Sequence, residues 1–291
     1  MFFGSIPALV TPFSSGRVAE DTFHELVEWQ IAGGSNALVP CGTTGESATM
    51  SADEQRRVIE IAVQAAAGRV PVIAGCGSNN VAHAIEYLHA AKEVGADAVL
   101  IVMGYYNRPS QAGMIAAFKA LSDASSLPII VYNIPGRAVV DISVETLAEI
   151  AKLPNIVGVK DATGNLGRVT DQRLKCGKDF VQLSGNDETA LAFNAMGGVG
   201  CISVTANIAP KLCAEFQAAT RDGRWDEALK LQDRLYPLHT ALFTDASPGP
   251  VKYALSRVRP GFPTELRLPM VEAADSSKRA VDAALAHAGI A

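Results

Sequence analysis

Several common functions are excluded by what this sequence has little of. Cysteine occurs five times (Cys41, Cys76, Cys176, Cys201, Cys213), and no two of these form a CxxC pair. An odd, scattered set of thiols gives no disulfide framework and points to a reducing compartment, hence the cytoplasm. Histidine also occurs five times (His24, His83, His89, His239, His287). None of these ends an expected strand, and His83 and His89 lie six positions apart on a helix, off a common face, so no metal centre is expected. No apolar run reaches the roughly 18 residues of a membrane span. The start, Met1 to Pro7, has neither a basic segment nor a long apolar one, so no signal peptide is read. With 25 basic against 30 acidic residues and a net charge of −5, no basic stripe is available for nucleic acid or an anionic membrane. GxGxxG and GxxxxGK[ST] are both absent, which removes the usual dinucleotide and nucleotide-phosphate loops.

What is present is an alternation. Eight short apolar runs, at 6–10, 36–41, 70–76, 96–103, 127–133, 156–160, 180–185 and 199–204, read as strands buried on both faces. Helix-period segments lie between them. Asp21 is placed to cap the first, and Gly33-Gly34 to end it. Ser51 and Glu54 form a capping-box pattern before the second, whose inner face reads Val58, Ile61, Ala62 and Ala65. Further helices are expected at 80–94, 110–124, 143–152, 165–175, 188–196 and 209–221. Strand and helix repeated eight times predict an α/β protein, a (β/α)8 TIM barrel over residues 1–222. The alternation then stops. Helical patterns at 224–242, 250–257 and 276–288, broken by Ser247-Pro248-Gly249-Pro250, Pro260 and Pro263, predict a C-terminal helical extension over 223–291.

In such a barrel the chemistry lies at the C-terminal ends of the strands. There the sequence places Gly42-Thr43-Thr44-Gly45-Glu46, Tyr105-Tyr106-Asn107-Arg108, Tyr132-Asn133-Ile134-Pro135-Gly136-Arg137, Gly158-Val159-Lys160-Asp161 and Ser184-Gly185-Asn186. Lys160 closes an apolar strand. Loss of solvation there favours the neutral amine, which attacks ketones and forms Schiff bases. The plainer reading is a lysine reaching to the rim and paired with Asp161. Tyr132 can pass protons, or simply fill the barrel mouth. The Gly-Thr-Thr-Gly turn can present N–H and hydroxyl donors to an anion, or serve as an ordinary connection. Arg137 can clamp a carboxylate bidentately, or remain a solvated loop charge.

Together these motifs resemble the dihydrodipicolinate synthase family of pyruvate-dependent, class I aldolases, across nearly the whole chain. The resemblance rests on Gly42–Glu46, Tyr132–Arg137 and the run from Gly158 to Asn165, with Tyr105–Gln111 in support. It implies a Schiff base between pyruvate and Lys160, with no metal or other cofactor. It further implies that Thr43 and Thr44 hold the pyruvate carboxylate and that Thr44 and Tyr132 relay protons. Gly185 and Ile202 line the pyruvate site, and Arg137 receives the carboxylate of aspartate β-semialdehyde. Tyr106 completes the relay in a neighbouring subunit of a homotetramer built as a dimer of dimers. The product implied is 4-hydroxy-tetrahydrodipicolinate, on the diaminopimelate route to lysine. The alternative within the superfamily is an N-acetylneuraminate lyase or keto-deoxy sugar acid aldolase, which offers Arg137 no carboxylate. A non-catalytic keto-acid binder would tolerate loss of Lys160, Tyr132 or Thr44, and a purely structural barrel would need none of them.

One departure bears on regulation. Lysine-inhibited members of the family bind lysine near positions matching Ser47, Ala48, Asn79 and Tyr105. They carry a glutamate where this chain has His83, and histidines where it has Ala52 and Gln55. Without that carboxylate the lysine ammonium loses its partner. Feedback by lysine is therefore expected to be weak or absent, and strong inhibition in a sub-millimolar lysine titration would refute this.

Overall fold

Apolar runs without alternation cannot leave a face in water, and here they close on themselves. The computed structural model describes residues 2–290. In chain order its strands are β1 (Gly4–Pro7), β2 (Phe13–Ser14), β3 (Arg17–Val18), β4 (Ile73–Gly75), β5 (Ala98–Val102), β6 (Ile129–Asn133), β7 (Ile156–Asp161), β8 (Val181–Ser184) and β9 (Gly200–Ser203). Seven of them form a parallel sheet in the order β1-β9-β8-β7-β6-β5-β4. The expected strand at 36–41 is not continuous. It joins its neighbours only through the parallel bridges Ala8↔Val39 and Leu38↔Val72. The reason is chemical: Pro7 and Pro40 lack the N–H groups that the adjoining rungs need. The bonds on either side survive, with Val39 N donating to Pro7 O and Gly75 N to Pro40 O, both at 2.9 Å. Through this segment the curled sheet closes into the barrel.

The helices are α1 (Glu20–Ala32), α2 (Ala52–Ala66), α3 (Val81–Glu93), α4 (Gln111–Ala124), α5 (Pro135–Ala138), α6 (Val144–Ile150), α7 (Gly167–Cys176), α8 (Ala190–Ala195), α9 (Pro210–Arg221), α10 (Trp225–Ala241), α11 (Gly249–Val258) and α12 (Asp275–Ala288). The capping box before α2 forms as expected, with both Ser51 and Glu54 bonds in place. Asn80, Ser110 and Ser143 cap α3, α4 and α6 through their side chains. Asp21 does not cap α1. Ala19 is the N-cap, and Asp21 lies in the first turn, where its charge complements the helix dipole. The β2–β3 hairpin was not expected from the sequence. Ser15 and Gly16, both at positive φ, make the two-residue turn that such hairpins favour.

Side chains alternate across the curled sheet. Ile6, Val39, Ile73, Leu100, Ile130, Leu183 and Ile202 pack inside the barrel with Tyr132. Val99, Ile101, Ile129, Val131 and Val159 face outward, against the helices. A strand interior of branched residues is a packed core and leaves the chemistry to the rim.

The helices beyond 222 pack on this barrel: α10 against α9, and α12 against α10 and α11. The connection after α11 adds a polar tie. Arg267 donates to Glu54 through both terminal nitrogens (2.8 and 2.6 Å), and also to Thr49 O and Gly16 O. Its guanidinium, with help from Ser51 N–H, holds the Glu54 carboxyl down at about 2, from an ordinary 4.5, against the opposing effect of burial. A carboxyl depressed in the folded state stabilises above its unfolded pKa, and that contribution is lost as pH falls through the folded one. Glu54→Gln is therefore expected to be less stable than the parent at neutral pH, with the gap closing between about pH 4.5 and 2. Urea unfolding across that range tests this, and a gap independent of pH would contradict it.

Candidate active site

Register brings the site together. Tyr132 on β6 pairs with Lys160 on β7, and Lys160 pairs with Leu183 on β8. All three side chains point into the barrel at its C-terminal end. Lys160 is 6% exposed, and its Nζ lies 4.0 Å from the centroid of the Tyr132 ring. Such a contact lets an aromatic face stabilise a cation with no anion beside it. Gly185, one residue beyond β8, makes room: a Cβ there would sit 3.1 Å from Lys160 Cε and 2.7 Å from Ala162 Cβ.

The sequence left open a pairing of Lys160 with Asp161, and the structure replaces it. Consecutive strand residues face opposite sides, so Asp161 points outward. Its Oδ1 accepts from Thr163 N at 2.9 Å, and its Oδ2 from Gln172 Nε2 at 2.7 Å, with Arg168 Nε at 3.5 Å. Arg168 continues to Asp141 Oδ2 (2.9 Å) and Ile142 O (2.6 Å). Asn133, beside Tyr132, donates to Asp141 Oδ1 at 2.7 Å and accepts from Ile142 N at 3.1 Å. A network on the outer face, buried at Asn133, Asp161 and Gln172 and open to solvent at Asp141, thus fixes the ends of β6 and β7. Inside, Lys160 makes no ion pair among the described residues. Asn133, Asp141, Arg168 and Gln172 were missed by sequence reasoning. Strand alternation at 160 and 161 was the signal that could have found the outward role of Asp161.

The other expected residues divide. Ile202 on β9 is fully buried and packs in the same interior cluster as Tyr132. Thr44 is buried and Thr43 exposed, on the turn after the 36–41 segment. Gly45 O in that turn accepts from Thr11 Oγ1 at 2.7 Å. Arg137 stands on α5, a single turn directly after β6, with its side chain exposed and in no ion pair among the described residues. Tyr106 is not brought to this site by its own chain. It is 91% exposed and sits at φ 69° on the loop after β5, a strained conformation for a bulky residue. Of the positions bearing on lysine feedback, Ala52 and His83 are exposed, while Gln55 is buried and donates to Ser47 O at 3.0 Å.

The cysteines are free thiols. Burial pushes the Cys41, Cys201 and Cys213 thiols well up, and that of Cys76 likewise. Such thiols are poor nucleophiles. His239, buried on α10, is bonded through Nδ1 to Thr205 Oγ1 at 2.8 Å, and burial holds its pKa below the ordinary 6.5. Among the described residues, no group of three or more His, Cys, Asp or Glu is placed to hold a metal ion, and no helix is long and apolar enough to cross a membrane.

An inward lysine at the barrel mouth, backed by a tyrosine ring and a glycine clearance, is the arrangement that a class I aldolase of the barrel type needs. The sequence pattern of the Dihydrodipicolinate synthetase family matches residues 1–288, and the chain belongs to that family. It is 64% identical over 291 residues to the 4-hydroxy-tetrahydrodipicolinate synthase of Rhizorhabdus wittichii, covering 100% of both chains. To that of Sphingopyxis alaskensis it is 61% identical over 290 residues, again covering 100% of both. Among solved structures, the chloride-inhibited dihydrodipicolinate synthase of Acinetobacter baumannii, complexed with pyruvate, matches 100% of both chains with a TM-score of 0.97 at 42% identity.

Removing the outer clamp should loosen the strand ends. Asp161→Ala leaves Arg168 and Gln172 without their shared acceptor and is expected to cost about 3 kcal/mol. Urea unfolding measures this, and a variant as stable as its parent would show that Asp161 is no clamp.

Proposed function

We propose that this enzyme condenses pyruvate with L-aspartate β-semialdehyde to give 4-hydroxy-tetrahydrodipicolinate, in the cytoplasm, on the diaminopimelate route to lysine. The observation that carries the reading is Lys160: buried, facing inward, and in no ion pair among the described residues. The relatives from Rhizorhabdus wittichii and Sphingopyxis alaskensis bear the synthase name.

In this reading Lys160 Nζ attacks the pyruvate ketone carbon. The carbinolamine loses water, its hydroxyl leaving with a proton, and becomes an iminium. The iminium draws electrons from the adjacent methyl group, which gives up a proton to form the enamine. The enamine carbon then attacks the aldehyde carbon, and the new alkoxide takes a proton. Finally, the amine of the former semialdehyde attacks the iminium carbon, closing the ring and releasing Lys160. Each transfer needs a donor or acceptor within hydrogen-bond reach. Tyr132, whose ring lies against Lys160 Nζ, and Thr44 serve as the relay. Thr43 and Thr44 hold the pyruvate carboxylate, with Gly185 and Ile202 lining its site. Arg137, extended from the turn after β6, receives the carboxylate of the semialdehyde. The outward position of Tyr106 fits a third relay member given to a neighbouring copy, in a homotetramer built as a dimer of dimers.

The test is condensation with a panel of aldehydes, namely aspartate β-semialdehyde, N-acetylmannosamine and glyceraldehyde, followed by mass spectrometry. The semialdehyde is expected to be preferred. Preference for a sugar aldehyde would keep the Lys160 chemistry and overturn the role of Arg137. Lys160→Ala is expected to abolish borohydride trapping of pyruvate, and full trapping in that variant would sink the assignment. Arg137→Ala is expected to raise the KM of the semialdehyde more than that of pyruvate, and equal effects would count against the clamp.

A further inference from the structure

We propose that Glu46 and Lys252 are positioning residues that hold the Thr43-Thr44 turn at the barrel mouth, so that the C-terminal extension sets the affinity for pyruvate. This rests on the reading of Thr43 and Thr44 as the carboxylate cradle.

The turn is bracketed by two residues that have no intrinsic reason to adopt their backbone geometry. Cys41 (φ 57°) and Glu46 (φ 55°) are both left-handed, and neither is glycine. Such conformations persist only where the surroundings impose them, and they gather at ligand sites. At the Cys41 end the constraint is local: the chain passes so close to β4 that a Cβ on Gly75 would lie 2.1 Å from Cys41 O. At the Glu46 end the constraint comes from far along the chain.

Glu46 Oε1 is 2.5 Å from Lys252 Nζ, and the two side chains are 2% and 0% exposed. Glu46 Oε2 accepts from the backbone N–H of Arg267 at 3.1 Å. Both carboxylate oxygens are therefore held by the extension. Lys252 is fixed in turn: its Nζ donates to Glu265 O at 2.7 Å and lies 4.4 Å from the Phe13 ring centroid. Burial pushes the Lys252 ammonium downward, with Glu46 opposing that shift. From Glu46 the restraint passes into the turn through the backbone. Glu46 N donates to Thr43 O, and Gly45 N to Gly42 O, both at 3.1 Å. Glu46 O accepts from Thr49 N and Thr49 Oγ1, both at 3.0 Å.

A buried ion pair is a poor choice if stability alone is needed, because apolar residues of similar volume usually do as well or better. What the pair adds is direction. It fixes where the Glu46 carboxylate lies, and with it the left-handed turn that presents Thr43 and Thr44.

The test is steady-state kinetics on the full-length enzyme carrying Glu46→Gln, Glu46→Asp, Lys252→Met, or the double change Glu46→Met with Lys252→Met, with Thr44→Val as reference. Glu46→Gln and Lys252→Met are expected to raise the pyruvate KM by about tenfold or more, with the semialdehyde KM at saturating pyruvate little changed. The double variant, with no charge left buried, is expected to recover its melting temperature but not its pyruvate KM. If a single variant fails to fold, Glu46→Asp and the double variant carry the same readout. A pyruvate KM that is unchanged in folded variants, or that recovers together with the melting temperature, reduces the pair to a structural role and overturns the proposal. Thr44→Val separates the two levels. If it raises the pyruvate KM while the Glu46 and Lys252 variants do not, the positioning proposal alone falls. If it leaves the pyruvate KM unchanged, the cradle reading fails and takes the proposal with it.

Discussion

A parallel strand sends consecutive side chains to opposite faces, and the site depends on that constraint at positions 160 and 161. The same backbone step that turns Lys160 into the barrel turns Asp161 out of it, so neighbours of opposite charge never meet. Outside, Asp161 gathers Gln172, Thr163 and Arg168 and pins the end of β7. Inside, Lys160 is left with an aromatic face and the clearance provided by Gly185. Had the carboxylate shared the lysine's face, it would have tied Nζ into an ion pair. The chemistry proposed here needs that nitrogen unencumbered at the barrel mouth. Rigidity from the outer face and reactivity on the inner one are thus supplied by adjacent residues without interference.

Much of this was legible before the structure. The barrel followed from apolar runs of strand length separated by helix-period segments. The capping box at Ser51 and Glu54 followed from spacing alone. Lys160, Tyr132, Arg137 and the Gly42–Gly45 turn followed from asking what each strand ends with, whereas Ile202 and the partner-subunit role of Tyr106 came only from the family resemblance. The misreadings have physical causes. The run at 36–41 is apolar enough for a strand, but a hydropathy pattern is blind to the hydrogen bonds lost at Pro7 and Pro40. Asp21 looked like a cap because its type suits one, yet α1 is capped two residues earlier, at Ala19, and uses the charge on the dipole instead. The β2–β3 hairpin is too short to show alternation, and only its Ser15-Gly16 turn signalled it.

The residues that hold the site were harder to read than those that line it. Glu46 was visible only as the last letter of a glycine-threonine motif. Lys252 lies in a helical stretch with nothing nearby to distinguish it from a surface lysine, yet it is among the largest fully buried side chains. Their meeting depends on tertiary distance, which local pattern does not carry. Arg267 is the same kind of residue. One guanidinium joins the start of α2, the turn before it and the β2–β3 hairpin, and stacks 4.2 Å from the Phe13 ring centroid.

These ties set an order of events during synthesis. The bond from Arg267 to Glu46 spans 221 positions. A domain emerging from the ribosome forms its local units first, and contacts of long sequence separation wait for the chain that completes them. Strand β7 and Lys160 can therefore take their places while the turn at residues 42–45 still lacks its outer support. The residues beyond α10 bring the remaining anchor: until Lys252 and Arg267 have been made, neither oxygen of the Glu46 carboxylate has its partner.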